Sequence, residues 1–308
     1  MKQLLYILFA GLFLSSCSKD ETNYRPGEGQ LVSVNFYGAS QTFPLYGQIN
    51  GGYPGIGIFV DTTVFNWATI NSDLEAKIPF FKLDGSAKSA TFPYLLGYDD
   101  ALVYLDIPAG STTLDFQLET ATSNPNVVHQ PVGSLLDTTV NLTPDTDQII
   151  YFTDAPAANG AKAAYRVVTV EQPREKAVTS DRVSVRLVNL SSDAGSARMV
   201  LLNPDGSETA EGLPQQLGFA QYSDYIGIDP SGKSQFGQLL LHLYVPDRED
   251  PLLVGVPALA GQSFEILLTG MKVVQDRQIV ESVGTDGTLS YKTVTLPQSL
   301  GTTVRRTY

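Results

Sequence analysis

Histidines and paired carboxylates are the side chains of this chain best suited to catalysis or metal binding. The two histidines are His129, in a proline-rich stretch, and His242, inside an apolar run. Neither belongs to an HExxH spacing or to a nucleophile motif, although a triad whose members meet only in the fold stays open. The sequence favours surface or half-buried histidines, so we expect no catalytic residue.

Two short acidic clusters, Asp99-Asp100 and Asp145-Thr146-Asp147, offer carboxylates. Glycosidases need two carboxylates about 5–10 Å apart, and calcium prefers loops rich in aspartate. The EF-hand pattern is absent from the sequence, so a solvated turn is the favoured interpretation of Asp145 and Asp147. We expect no metal site and no cofactor.

Aromatic side chains are concentrated in one part of the chain. The stretch from Phe36 to Tyr104 contains 14 of the 30 aromatic residues, including Trp67, the single tryptophan. Exposed rings can stack on sugars or anchor a protein partner, whereas buried rings would form the core of the first domain. Tyr46, Tyr53 and Trp67 are our candidate ligand-binding residues.

Cys17 is the single cysteine, which excludes an intrachain disulfide. The apolar run over residues 4–14 is too short to cross about 30 Å of hydrocarbon as a helix. It ends in Leu14-Ser15-Ser16-Cys17, which resembles the lipobox of bacterial lipoproteins. The resemblance implies that Met1 to Ser16 is a cleaved signal peptide and that Cys17 carries the lipid that anchors the protein in a membrane. The alternative is an ordinary secretory signal followed by a free thiol.

Three charged residues, Lys19, Asp20 and Glu21, follow the cysteine closely. They resemble the export signal of Bacteroidetes surface lipoproteins, and the resemblance implies a lipid anchor in the outer membrane with the protein facing the cell exterior. The alternative is a solvated charged tether. Residues 17–29 are mostly polar, lack periodicity and contain proline and glycine, so we predict a lipidated flexible tether.

The composition limits the classes of fold and partner. The net charge is −12, with 17% charged and 43% hydrophobic residues. This acidic balance argues against nucleic acid as a partner, because binding phosphates requires a basic surface. The hydrophobic fraction argues against a disordered chain, and short apolar runs with frequent tyrosine and threonine favour strands.

The chain contains an internal repeat, which appears as four pairs of similar segments in the same order. The pairs are 32–36 with 183–187, 107–111 with 228–232, 147–153 with 263–269, and 165–172 with 291–298. We therefore predict an all-β fold with two tandem immunoglobulin-like or transthyretin-like β-sandwich domains. The predicted parts are an enlarged first domain at 30–172, a linker at 173–180, a second domain at 181–298 and a C-terminal tail at 299–308.

The second copy opens with Val183, Val185 and Leu187 alternating with polar residues, which predicts a strand with one buried and one solvated face. The segment from Arg186 to Ala194 resembles the opening strand and turn of a family of extracytoplasmic β-sandwich domains of unknown function, common in Bacteroidetes lipoproteins and often in tandem. The family motif continues with proline where this chain has Gly195. That family has no established catalytic residues, so the resemblance implies a fold only.

These features predict a non-enzymatic cell-surface lipoprotein that acts as a binding or structural, adhesion-type module. Its partners would be the membrane, through the N-terminal lipid, and a glycan or a surface protein. One alternative is a glycan-binding accessory protein of a nutrient-uptake system. Another is a fimbrial-type subunit, for which the tail Leu300 to Tyr308 is the candidate for a strand exchanged between subunits. A hydrolase with a dispersed active site is the least favoured alternative.

We predict that Cys17→Ala abolishes lipidation, because the lipobox offers its thiol as the acceptor. Metabolic labelling of cells with a clickable palmitate analogue should mark the wild-type chain and leave the variant unlabelled. Ser18→Ala, one residue further on, is the matched control and should keep the label. Equal labelling of the Cys17→Ala chain would contradict the lipobox interpretation.

Overall fold

The computed structural model describes residues 31–49, 53–60, 63–65, 105–122, 131–173, 180–283 and 288–307. Within these ranges strands are by far the commonest regular structure, and the predicted all-β sandwich class is confirmed. The one helix in these ranges, α1 (Phe43–Ile49), is not predicted by the sequence. No helix of the described residues is long and apolar enough to cross a membrane.

The described residues of the first half of the chain form eight strands in two four-stranded sheets. The strands are β1 (Leu31–Gly38), β2 (Tyr53–Val60), β3 (Thr63–Phe65), β4 (Leu105–Pro108), β5 (Gly110–Thr122), β6 (Pro131–Leu142), β7 (Asp147–Asp154) and β8 (Tyr165–Gln172). Sheet A has the strand order β4-β1-β7-β8, and sheet B has the order β3-β2-β5-β6. β1 and β7 are parallel, and the other neighbours are antiparallel.

In the second half, residues 180–283 and 288–307 contain ten strands. They are β9 (Val183–Asn189), β10 (Arg198–Leu202), β11 (Glu208–Thr209), β12 (Ile226–Ile228), β13 (Gln238–Tyr244), β14 (Leu252–Pro257), β15 (Ser263–Thr269), β16 (Gln275–Val283), β17 (Leu289–Leu296) and β18 (Gly301–Arg306). Sheet C has the order β12-β9-β15-β18, sheet D has the order β11-β10-β13-β14, and β16 and β17 form a separate hairpin.

The two halves share one topology. Sheet C repeats sheet A strand for strand, including one parallel pair, β9 with β15, at its centre. Three of the four pairs of similar segments occupy equivalent places: β1 with β9, β4 with β12, and β7 with β15. The fourth predicted pair, 165–172 with 291–298, is wrong. Residues 165–172 form β8 at the edge of sheet A, whereas residues 291–296 lie in the β16–β17 hairpin. The counterpart of β8 is β18.

The four sheets stack as layers in the order B, A, C, D, with a hydrophobic cluster between each neighbouring pair. Every residue of β9 is buried, including Ser184 and Arg186. The prediction that one face of this strand is solvated is therefore wrong. Its polar side faces sheet A, because Val188 and Leu267 of sheet C pack with Ile149 and Tyr151 of sheet A.

Two elements of the second half depart from the predicted organisation. The hairpin β16–β17 packs on the first half, where Val280, Leu289 and Tyr291 join the cluster between sheets A and B. Residues 301–306, predicted as part of a tail, form β18 and pair along β15. Many contacts thus cross the predicted linker, and the separate folding of the two domains stays a prediction.

The interface between sheets A and C also holds a buried carboxylate, Glu265 of β15, which is 0% exposed. Its Oε2 accepts a hydrogen bond of 2.5 Å from the Tyr151 hydroxyl, and its Oε1 accepts one of 2.7 Å from Gln172 Nε2. Arg186 donates to Oε1 through Nε at 2.9 Å and also through Nη2. Tyr151 and Gln172 belong to sheet A, whereas Arg186 and Glu265 belong to sheet C. This network therefore joins the two halves of the chain.

The electrostatics of the network keep the Tyr151 hydroxyl and the Arg186 guanidinium protonated. Burial, followed by the charge of Glu265, raises the pKa of Tyr151 well above its ordinary value, so its hydroxyl remains a donor. Burial lowers the pKa of Arg186, but Glu265 and two nearby tyrosines outweigh that effect and raise it overall. The guanidinium therefore stays charged and depends on its carboxylate partner.

We predict that Glu265→Gln lowers the free energy of unfolding by about 3–5 kcal/mol, because it leaves the Arg186 charge buried without a counter-ion. Glu208→Gln is the matched control: Glu208 pairs with His242 in a partly exposed position, where loss of a pair costs at most about 1 kcal/mol. Urea unfolding followed by circular dichroism measures both. Equal effects of the two substitutions would show that the buried network does not hold the sheets together.

Candidate functional site

The structure describes only some of the predicted site residues. Those outside the described ranges are Cys17, Lys19, Asp20, Glu21, Trp67, Asp99, Asp100 and His129. Tyr53 begins β2, where only its backbone is described. Tyr46 lies in α1, is 7% exposed and packs in the cluster between sheets A and B. Its ring is thus part of the core, and the glycan hypothesis rests on Tyr53 and Trp67.

His242 of β13 is half-buried, as the sequence favoured, and lies in a polar group on sheet D. Its Nδ1 lies 2.7 Å from Glu208 Oε1, which also accepts a hydrogen bond of 2.6 Å from the Tyr244 hydroxyl. The hydrogen bonds from Tyr244 and His242 hold the pKa of Glu208 below its ordinary value. Among the described residues, no hydroxyl or thiol nucleophile hydrogen-bonds to His242, so this pair lacks the third member of a triad.

The acidic segment before β7 forms a turn, as the sequence favoured. Asp145 lies in this turn with a φ of 57°, and Asp147 is the first residue of β7. In the described part of the chain, no group of three histidine, cysteine or acidic side chains is placed to hold a metal ion.

The side chains of Asn189 and Ser191, in the motif at the end of β9, stabilise the loops around it. The Asn189 amide donates to the carbonyls of Gly195 and Leu217, each at 2.9 Å, and the Ser191 hydroxyl donates to the Gly270 carbonyl at 2.7 Å. These hydrogen bonds satisfy buried groups that would otherwise cost free energy. Gly195 has a φ of 75°, which proline cannot adopt because its ring fixes φ near −65°. Proline could therefore not replace Gly195 in this turn.

Two aspartates tie the loops at the ends of the parallel strand pairs, but from opposite sides. In the second half, Asp193 follows β9 and accepts the amides of Lys272 and Val273, which follow β15. In the first half, Asp154 ends β7 and accepts the amide of Gln41 at 2.6 Å, after β1. The first copy lacks an aspartate after β1, and the neighbouring strand supplies the carboxylate instead. Burial raises the pKa of Asp154 in spite of the hydrogen bonds that lower it.

A cleft of about 610 Å³ opens where the two halves of the chain meet. Its walls come from three places: the end of β1 with the turn into α1, the last residues of β17, and β18. Most of the lining is apolar or carries hydroxyl groups, and Arg305 is the only charged residue in it. The sequence contained no signal for this cleft, because its walls are far apart along the chain.

The most exposed large hydrophobic side chain of the described residues is Phe236, which is 100% exposed. It occupies a tight turn with Gly237: Gln235 and Gln238 exchange backbone hydrogen bonds of 2.7 and 2.9 Å. Phe236 has a φ of 51° and Gly237 a φ of 75°, and such positive values suit a type I′ turn, which prefers asparagine followed by glycine. Leu259, also more than half exposed, lies beside the turn, because the amide of Ala258 donates to the Gly237 carbonyl.

Comparisons with known proteins identify neither a family nor a function for this chain. No family model matches the chain, and no curated protein matches it. A solved structure from Bacteroides fragilis, described as a "putative cell adhesion protein", is 9% identical over 87% of this chain and 97% of that chain, with a TM-score of 0.18. A TM-score this low transfers neither a fold nor a function to this chain.

We predict that Phe236→Asn raises the free energy of unfolding by about 1 kcal/mol, because asparagine tolerates positive φ better than a bulky residue does. Phe236→Ala is the control, since it removes the ring without favouring that backbone conformation. Denaturant unfolding of the three chains measures the difference. If the asparagine chain is no more stable than the alanine chain, the turn is not strained by phenylalanine.

Proposed function

We propose that this protein is a non-enzymatic surface lipoprotein, anchored in the outer membrane through lipid on Cys17, whose folded part contacts a partner at the cell exterior. The lipobox and the charged residues after it support the anchor and the address. The stack of four sheets provides a stiff body of the kind that presents a contact surface.

One observation carries the contact role: the ring of Phe236. A fully exposed phenylalanine buries nothing within the chain, and its positive φ costs stability in a turn that asparagine would fill better. Strained residues of this kind are kept where another molecule supplies the compensating contact, and aromatic rings are frequent anchors of protein contacts. Leu259 beside it extends the apolar surface of the tip.

The fimbrial-type alternative makes a different demand on the chain. It requires a strand that leaves its own sheet, and the expected segment forms β18, which is paired with β15 over six residues. Exchange of this strand would require β18 to give up its pairing with β15 and the same strand of another subunit to replace it. We therefore favour a monomeric contact module over a strand-exchanging subunit.

The test is photocrosslinking on intact cells, with a benzoylphenylalanine placed at position 236. We expect a discrete adduct of higher mass at the cell surface, removable by external protease. The same group at Asp205, which lies in another exposed turn, is the matched control and should give no adduct. If position 236 gives no more adduct than position 205, the contact role of this turn is contradicted; release of the Cys17→Ala chain from the membrane tests the anchor separately.

A further inference from the structure

Arg305 of β18 is a buried cation with unused hydrogen-bonding capacity. It is 4% exposed, and its Nη2 donates to Asn35 Oδ1 at 2.8 Å. Its Nε and Nη1 have no hydrogen-bond partner among the described residues. The guanidinium lies over the rings of Tyr37 and Tyr151, 4.8 Å and 5.8 Å from their centroids. Buried donors without partners are rare, because each costs free energy relative to water.

The charge of Arg305 is also uncompensated within the described part of the chain. Its direct cross-strand neighbour is Glu265, but the carboxylate of Glu265 is occupied by Arg186, Tyr151 and Gln172. No described carboxylate lies within 4 Å of the Arg305 guanidinium. Arg186, Arg305 and one carboxylate, Glu265, thus lie between sheets A and C, which leaves an excess of one positive charge among these three groups, in a chain whose net charge is −12.

Arg305 is one of the residues that line the cleft described above. Its volume of about 610 Å³ lies within the range of about 300–1,000 Å³ typical of small-molecule sites. Leu45, Val294 and Val304 contribute apolar surface to its walls, and Thr303 contributes a hydroxyl group. An arginine in the lining of a largely apolar cleft matches a ligand with one carboxylate and an apolar body, because carboxylates accept charge-assisted hydrogen bonds from guanidinium donors.

We propose that this cleft binds a small organic carboxylate, whose carboxylate accepts hydrogen bonds from Arg305 and whose apolar body lies against Leu45, Val294 and Val304. This site is separate from the Phe236 turn and does not depend on the contact role proposed for it. The ligand would supply the counter-ion and the hydrogen-bond acceptors that Arg305 lacks in the chain itself.

The test is calorimetric titration of the purified full-length chain with N-acetyl-L-leucine and with N-acetyl-L-leucinamide, which differ only in the carboxylate. We expect the acid to bind with a Kd on the order of 1 mM, as suits a ligand of this size, and the amide at least tenfold more weakly. D-Glucuronate carries a carboxylate without an apolar body and should also bind at least tenfold more weakly. Equal binding of acid and amide, or tighter binding of glucuronate, would overturn the proposal.

Two variants locate the binding. Arg305→Lys keeps a positive charge but removes the guanidinium, and Thr303→Tyr fills the cleft without changing Arg305; each should weaken binding of the acid at least tenfold. Arg182→Lys, an exposed arginine outside the cleft, is the matched control and should bind as the wild type does. If Arg305→Lys fails to fold, Thr303→Tyr and the acid-to-amide comparison decide. No binding of the acid to the wild-type chain would mean that water alone satisfies Arg305.

Discussion

The carboxylate of Glu265 is the constraint on which the arrangement of the layers depends. It is fully buried between two sheets, and its partners come from both halves of the chain. A charge in such a place is tolerated only when it is paired and hydrogen-bonded. Sheets A and C must therefore meet in one register, because a shift of either sheet would leave Glu265 or Arg186 buried without its hydrogen-bond partners. Apolar contacts such as Leu267 against Tyr151 favour the layers without specifying that register.

The repeated topology explains why the two sheets can meet in this way. Each half places a parallel strand pair at the centre of its inner sheet, and a carboxylate ties the loops at the end of that pair. Asp154 and Asp193 perform this task from different strands. A carboxylate thus ties the loops in both halves, but it comes from the end of β7 in the first half and from the loop after β9 in the second. This is why the first copy shows no aspartate where the motif would place it.

The sequence could predict the class of fold and much of the repeat, because strand alternation and turn residues are local signals. Three pairs of similar segments fall in equivalent strands for the same reason. The pairing of 165–172 with 291–298 failed because solvent-facing strands share an alternation that says nothing about their neighbours. The buried face of β9 could not be predicted either: Arg186 is a polar residue at a position that sequence patterns assign to water. Its counter-ion, Glu265, is 79 residues away, and the Glu171 carbonyl accepts a further hydrogen bond from it.

The candidate site was beyond prediction for a related reason, which also bears on its meaning. Two of the three walls of the cleft come from elements that the two copies do not share: α1, which occurs only in the first half of the described chain, and the hairpin β16–β17, which occurs only in the second. The third wall, β18, is the counterpart of β8 and carries Arg305. Elements added to a repeated scaffold are where binding sites tend to arise. A cation without a counter-ion therefore lies where the two copies differ, and the repeated framework alone does not require it.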